Sequence, residues 1–256
     1  MNVETHGNVF IRRIGNARTP KLFCLHGFAD SGQMYTPLAG TALAEHFELI
    51  AVDLPGFGAS PRNPSVNTLE DHARALAGLA STLSPDRAVG LIGHSIASAI
   101  AVAMVGALAI PPLGVFSIEG NLTQADAYFS GQAADWDSAG DFKAAFQEEI
   151  WRGAQDSTDL RRYFSGVVVA DAEALWHLGR DARRVSADDA VGHAYRALMV
   201  PTLYYWGMDS TTASTRDFIQ QHSLPNQQYA VASHWPTVAD PGPTAATIAS
   251  FFTERR

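Results

Sequence analysis

The stretch that most constrains the fold runs from residue 88 to residue 98, Ala-Val-Gly-Leu-Ile-Gly-His-Ser-Ile-Ala-Ser. A short apolar run over residues 89–92 ends at Gly93, and an Ala-rich helical pattern begins at Ile96. Ser95 therefore stands where a buried strand turns sharply into a helix, and such a turn needs small neighbours. A serine there is held in a strained backbone conformation that pushes its hydroxyl clear of the sheet. The helix N-terminus behind it offers unpaired N–H groups to an anion. The chemistry implied is nucleophilic attack, although a strand–Gly–x–Ser–helix join also fits a phosphate-binding turn, so the surrounding chain has to decide.

With 256 residues, 46% of them hydrophobic and 17% charged, the chain is long and apolar enough for one globular α/β domain with a sizeable core. Its net charge of −8 argues against a nucleic-acid surface, which needs a clustered basic patch. The local basic clusters are the pairs Arg161-Arg162, Arg183-Arg184 and Arg255-Arg256, a type expected on solvated helix faces or at chain ends. The single cysteine, Cys24, excludes an internal disulfide and lies in the apolar run 22–25, where a buried, inert thiol is expected. No Cys/His spacing suggests a metal site. The N-terminal residues lack a basic start followed by an apolar stretch, so no signal peptide is expected and a cytoplasmic location is. The longest apolar stretch, residues 96–110, is closed by Pro111-Pro112 and falls short of the roughly 20 residues of a membrane span. It reads as a fully buried helix behind Ser95.

In chain order, residues 8–14 alternate as an edge strand, and residues 21–25 form a continuous apolar run of the kind a parallel strand shows when covered on both faces. Residues 31–46 read as a helix, and residues 47–52 as another buried strand. Thr68 and Asp71 have capping-box spacing ahead of Leu69, Ala73, Leu76, Ala80 and Leu83 on one helical face. Residues 113–118 form a strand closing on Glu119-Gly120-Asn121. From 121 to 196 the pattern is helical and rich in Trp136, Phe142, Phe146, Trp151, Tyr163, Phe164 and Trp176, with only residues 167–169 strand-like. Strand character returns over 197–206, followed by a helix over 212–222, a last strand over 227–232 and a closing helix over 243–252. Alternation at this spacing predicts a mostly parallel, doubly covered sheet.

Four landmarks stand in order along this frame: His26-Gly27 after the strand at 21–25, Asp53-Leu-Pro-Gly-Phe-Gly after the next, Gly93-His94-Ser95-Ile96-Ala97, and His234 near the end. Together they resemble the α/β-hydrolase superfamily over nearly the whole chain. One departure is that Ala97 stands where the G-x-S-x-G elbow has its second glycine. The resemblance implies a core of residues 1–120 and 197–256, with a helical cap of residues 121–196 inserted between the sixth and seventh strands. It also implies that the Phe28 and Ile96 amides form the oxyanion hole. His26 then braces its loop, and Asp53, which precedes the nucleophile although the family order is Ser, acid, His, has a structural role.

His234, on a loop just beyond the last strand, is where this fold brings a general base to the serine. His94 is adjacent to Ser95, and successive side chains on a turn are not expected to point at the same site. His177 and His193 read as surface or cap packing. The acid has two candidates. Asp209 ends the seventh strand, the usual family position, but only Met208 separates it from Gly207 where the family pattern has two residues. Glu119 ends the sixth strand, which supplies the acid in a minority of the superfamily, and a carboxylate at the C-terminal sheet edge needs a partner such as an imidazolium. Glu119 is the favoured reading.

The resemblance thus implies a Ser-His-acid hydrolase acting on an ester, thioester or lactone of a mainly apolar small molecule. It would need no cofactor or metal, would not engage nucleic acid or membrane, and would be a monomer or homodimer. Ser95 argues against dehalogenases and epoxide hydrolases of this fold, which use Asp at the elbow. Two alternatives stay open: carbon–carbon bond hydrolysis, and a non-hydrolytic member that binds a ligand or steers a cyclisation.

Overall fold

The structure, a computed structural model, describes residues 1–254, so the pair Arg255-Arg256 lies outside the described residues. Eight strands form one sheet: β1 Asn2–His6, β2 Val9–Ile14, β3 Lys21–Leu25, β4 Glu48–Val52, β5 Gly90–His94, β6 Gly114–Ile118, β7 Thr202–Gly207 and β8 Asn226–Tyr229. Their order is β1-β2-β4-β3-β5-β6-β7-β8, antiparallel in the first two pairings and parallel in the rest. The central strands β4, β5 and β6 are buried at every residue. That is why they appear as apolar runs without alternation: helices cover both faces of a parallel sheet.

The N-terminal edge differs from expectation. Residues 8–14 are not an edge strand, because β2 is flanked on both sides, by β1 and by β4. The edge is β1, whose sequence Asn-Val-Glu-Thr-His is polar and solvent-facing and so has no apolar period to reveal it. The expected helix over 31–46 is instead a 3₁₀ segment, Gly32–Gly40, followed after an extended Thr41 by one α-helical turn, Leu43–His46. Pro37 lies inside the first piece, where it withholds an N–H and discourages an α-helix. The helix Leu69–Leu83 starts at Thr68 with the expected capping box to Asp71.

The elbow helix, Ala97–Ala107, is shorter than 96–110 and is not fully buried. Its inner face, Ile100, Ala101 and Met104, is in the core, while Val102 and Val105 are partly exposed. The strands expected over 197–206 and 227–232 are likewise shorter, which frees residues 230–235 as a loop running back toward the sheet's C-terminal edge. Among the described residues no helix is long and apolar enough to cross a membrane.

Between β6 and β7 the chain leaves the sheet and forms 3₁₀ turns and the helices Ala139–Ala154, Thr158–Val169, Ala172–Val185 and Ala190–Arg196. Ser138, Ser157 and Asp171 cap the first three through side-chain oxygens. Residues 167–169 are helical rather than strand-like: Val167 points inward and Val168 and Val169 are exposed, a division that helical rotation imposes. Arg161 donates to the carbonyls of Ala154 and Gln155, satisfying the open end of the preceding helix. Phe142 and Phe146 stack at 5.6 Å, and the Phe28 ring packs edge-on against Phe146 at the same separation, joining the segment to the loop after β3.

Candidate active site

Ser95 has φ +54°, in the left-handed region that non-glycine residues rarely occupy. Its N–H is bonded to the carbonyl of Ile118 on β6, which fixes the turn to the sheet. Gly93 is required here. A Cβ at that position would lie 2.7 Å from the Ala97 carbonyl oxygen and from the Ser98 Cα, so the helix could not fold back so tightly on the strand. Ala97 is fully buried where the family pattern has glycine. The amide nitrogens of Phe28 and Ile96, the pair expected to form an oxyanion hole, donate to no acceptor among the described residues.

Glu119 also has a left-handed backbone, φ +47°, and its amide is tied to the Tyr205 carbonyl on β7. This strained placement aims a carboxylate, 2% exposed, across the sheet edge. Oε2 accepts from His234 Nδ1 at 2.9 Å. Oε1 accepts from the Gly207 amide at 2.6 Å and from the hydroxyls of Ser210 at 2.8 Å and Thr211 at 2.9 Å. Burial alone would raise the carboxyl's pKa, but the hydrogen bond and charge of His234, with the other donors, bring it below the ordinary value. Asp209 is exposed and makes no bond to His234. The residue two beyond Met208 is decisive: Ser210 stands where the family spacing would put a seventh-strand acid, and it donates to Glu119 instead.

His234 is half-buried and lines one cavity with Ser95 and Glu119. Because Nδ1 faces Glu119, Nε2 is the nitrogen left for the cavity. Tyr229 donates to the Ser233 carbonyl at 2.9 Å and steadies the loop just before it. His94 also belongs to this site, contrary to the expectation that its ring would point away. It is 1% exposed, packs tilted against the His234 ring with centroids 4.6 Å apart, and donates from Nε2 to the His234 carbonyl at 2.8 Å. Burial pushes its pKa down to about 3, so it stays neutral, and the Nε2 proton remains available for that bond.

The other landmarks act as braces. His26 donates from Nδ1 to the Gly27 carbonyl and accepts the Leu54 amide at Nε2, tying the loop after β3 to the loop after β4. Asp53 is fully buried between Arg12 and the amides of Gly32 and Ala59. Cys24 is buried, with its thiol pKa pushed up by desolvation. His177 lies beside Glu173 on the surface, and His193 packs on Phe218 and His222.

One inserted helix, Thr158–Val169, grips the loop after β3 at three successive residues. Tyr163 donates to the Phe28 carbonyl at 2.8 Å. Gly166 crosses Ala29, whose carbonyl oxygen lies only 2.4 Å from where a Cβ would be, and Ala29 itself has φ +56°. Arg162 donates twice to the buried Asp30 carboxylate, at 3.1 and 2.9 Å, and lies over the Trp235 ring, whose Nε1 donates to the same carboxylate at 2.9 Å. Arg162 is therefore not on the solvated face expected for the pair Arg161-Arg162; it joins this helix to the residue after His234. The same helix's Asp159 accepts from Ser233 on the other side of His234.

The cavity holds about 260 Å³, below the usual span for drug-sized ligands, and suits a small molecule. Phe28, Phe129, Leu160, Tyr163 and Trp235 make much of its wall apolar. Of the aromatics singled out in the inserted segment, Tyr163 reaches it; Phe142 and Phe146 are the segment's own core, and Trp136 and Trp151 are exposed. Sequence reasoning missed Asp30, Arg162, Trp235, Ser210 and the role of His94. Two signals could have found some of them: Trp235 directly follows His234, and Ser210 occupies the acid's family spacing.

Comparison with known proteins places this geometry in context. A family model described as alpha/beta hydrolase family matches residues 22–247. An uncharacterized hydrolase, YugF, from Bacillus subtilis (strain 168) is 31% identical over 96 residues; the match covers 37% of this chain and only 34% of that relative's length. Among solved structures, the N-acyl homoserine lactonase AidH superposes with a TM-score of 0.76 at 18% identity, covering 99% of this chain and 97% of that one. An esterase from Thermogutta terrifontis gives 0.73 at 18% identity over 96% and 93% of the two chains. The epoxide hydrolase CorEH gives 0.74 at 20% identity over 97% and 95%. At these identities the three structures share the fold with this chain.

Proposed function

Because the chain belongs to the alpha/beta hydrolase family, we propose that it is a serine hydrolase cleaving an ester, thioester or lactone bond of a small, mainly apolar molecule. One observation carries the reading: a buried Glu119 carboxylate hydrogen-bonded at 2.9 Å to the imidazole of His234, in the same cavity as a serine on a strained strand–helix turn. An ion-pair-ready His lining the same cavity as a half-buried serine has little structural purpose and a clear chemical one.

In this mechanism Ser95 Oγ attacks the carbonyl carbon while His234 Nε2 takes its proton. Glu119 holds the proton on Nδ1, so that Nε2 is the basic nitrogen, and stabilises the imidazolium that forms. The Phe28 and Ile96 amides donate hydrogen bonds to the developing oxyanion. The imidazolium returns its proton to the departing alkoxide or thiolate, leaving an acyl group on Ser95. Water, deprotonated by His234, then attacks the acyl carbon; the C–O bond to Ser95 breaks, the imidazolium returns its proton to Ser95 Oγ, and the acid is released. The His94 hydrogen bond to the His234 carbonyl keeps the base loop in register through both halves.

The test is a burst assay with a short-chain p-nitrophenyl ester, together with labelling by a fluorophosphonate. Wild type should give an initial burst stoichiometric with enzyme and become labelled at Ser95. Ser95→Ala should fold with an unchanged melting temperature, lose a few orders of magnitude in kcat and take no label. An unlabelled wild type with no turnover would favour the ligand-binding alternative. A Ser95→Ala variant that hydrolyses esters at the wild-type rate would end the reading.

A further inference from the structure

The apolar wall of the cavity is mostly aromatic, and its rings are held in place. Tyr163 is fixed by its bond to the Phe28 carbonyl, and Trp235 by its bond to Asp30 under the Arg162 guanidinium. Phe28 packs against Phe142 and Phe146, and Phe129 against Tyr128 and Phe146. Leu160 is the one large aliphatic side chain among the described lining residues, and its surroundings differ.

The backbone at Leu160 is set. Its amide donates to the capping hydroxyl of Ser157 at 3.2 Å, and Arg161 ties the start of this helix to the carbonyls of Ala154 and Gln155 at the end of the helix Ala139–Ala154. Trp151 and Phe164 pack across the same pair of helices, with ring centroids 5.1 Å apart. The leucine side chain has no such ties. Its Cδ1 leans onto Gly153, 2.6 Å from where a Cβ would lie, and no other described atom beyond that glycine's own helix and chain neighbours comes within 4 Å of the point. Leu160 therefore occupies space that exists because residue 153 has no side chain. Gly153 is not itself among the residues lining the cavity. Glycine inside a helix is disfavoured relative to alanine, so its presence here needs a use, and room for Leu160 is one.

We propose that Leu160 and Gly153 together set how long an alkyl chain the substrate can carry. Leu160 is the stop against which the chain ends, and Gly153 is the recess that holds the stop back. The helix pair is fastened, so a methyl at position 153 is absorbed by the flexible end of the leucine. Turned out to water, that end would expose apolar surface; turned into the cavity, it stays covered and shortens the space for substrate. Removing the leucine's end has the opposite effect. The inference rests on the hydrolase reading of Ser95 and His234.

The experiment measures kcat/KM for p-nitrophenyl acetate, butyrate, hexanoate, octanoate and dodecanoate, and for ethyl, butyl, hexyl, octyl and dodecyl acetate, which lengthen the acyl and the alcohol side in turn. Each value is divided by that of the shortest ester in its series, a ratio independent of the fraction of active enzyme. The diagnostic ester is the one a step longer than wild type prefers. In at least one series, Leu160→Ala should raise its ratio about tenfold and Gly153→Ala should lower it about tenfold, the least that a methylene is worth in an apolar pocket. In the double variant, Gly153→Ala should add nothing to Leu160→Ala, because the new methyl has no leucine to displace. Ratios that either single variant leaves unchanged in both series overturn the inference, as does a Gly153→Ala effect that persists without the leucine. A wild type inactive on all the esters overturns the proposed reaction first, and this inference with it.

Discussion

At the scale of single residues, the proposed acid is the sharpest point of difference between this chain and the commoner arrangement. The carboxylate reaches His234 from the end of β6, and the position at the end of β7 is filled by Ser210, a donor rather than an acid. A serine there has a physical use: with Thr211 and the Gly207 amide it loads Glu119 Oε1 with three hydrogen bonds, which keeps the buried carboxylate ionised and leaves Oε2 to the imidazole. Glu119→Gln keeps the shape but loses the charge, so kcat should fall about 10⁴-fold. Asp209→Asn, on an exposed residue, should stay within about threefold of wild type, since surface changes away from the site alter little. Steady-state kinetics on one ester checks both; the reverse order would return the role to Asp209. His94 adds a second test. His94→Ala removes the bond to the His234 carbonyl, and a base loop displaced by even 1 Å should cost about 10²-fold in kcat.

At the scale of elements, the helix Thr158–Val169 does more than cover the pocket. It contacts the loop after β3 through Tyr163, Gly166 and Arg162, and it contacts the loop carrying His234 through Asp159 and, by way of Asp30, Trp235. The loop after β3 and the loop carrying His234 are thus fastened to one helix. The Asp30 side chain is only 4% exposed, so Arg162→Met would leave a buried carboxylate with its main cation gone. The expected loss is about 3 kcal/mol, the low end for breaking a buried pair because the guanidinium itself is partly open to water. Urea unfolding measures it. The double variant Asp30→Asn with Arg162→Met should recover part of the loss, because no unpaired charge remains; a double variant as unstable as the sum of the singles would show that the pairing is not what matters.

At the scale of the whole molecule, three buried histidines set how stability responds to acid. Burial lowers the pKa of His26, and takes His72 and His94 down to about 3. Above pH 6.5 these rings are neutral in both the folded and the unfolded chain and contribute no pH dependence. Below it the unfolded chain binds protons that the folded chain refuses, so stability falls as pH drops, toward about 3 for His72 and His94, at up to about 1.4 kcal/mol per pH unit for each ring. The lowered carboxylates act in the same direction further down: Glu119 and Asp30 stabilise the fold above their ordinary values, and that stabilisation is lost as pH falls through their folded ones. Melting temperatures recorded between pH 7 and pH 4.5 should therefore fall steadily, and His72→Leu, which removes a ring that does not line the cavity, should flatten the fall. A melting temperature that stays level to pH 5 would contradict the buried neutral state.

The sequence by itself determined the layout. Continuous apolar runs at residues 21–25 and 47–52 and at the stretch before Gly93 can be stable only as strands covered on both faces, and Gly93-His94-Ser95 can be accommodated only by a sharp turn into a helix. These are local constraints of burial and backbone sterics, and they also bring Ser95, Glu119 and His234 to one edge of the sheet. The tertiary structure decided whatever depended on a partner distant in sequence. It put the polar strand β1 at the edge and moved residues 9–14 inside, because strand pairing, unlike apolar periodicity, satisfies polar and apolar sequences alike. It placed Glu119 rather than Asp209 against His234, a choice made by the left-handed turn after β6 and by donors 88 to 92 residues away. It also turned Arg162, one of a pair that looks solvated, toward a buried Asp30 that lies 132 residues earlier. A charged residue's burial is set by what the fold brings to it, and no window of neighbouring residues contains that information.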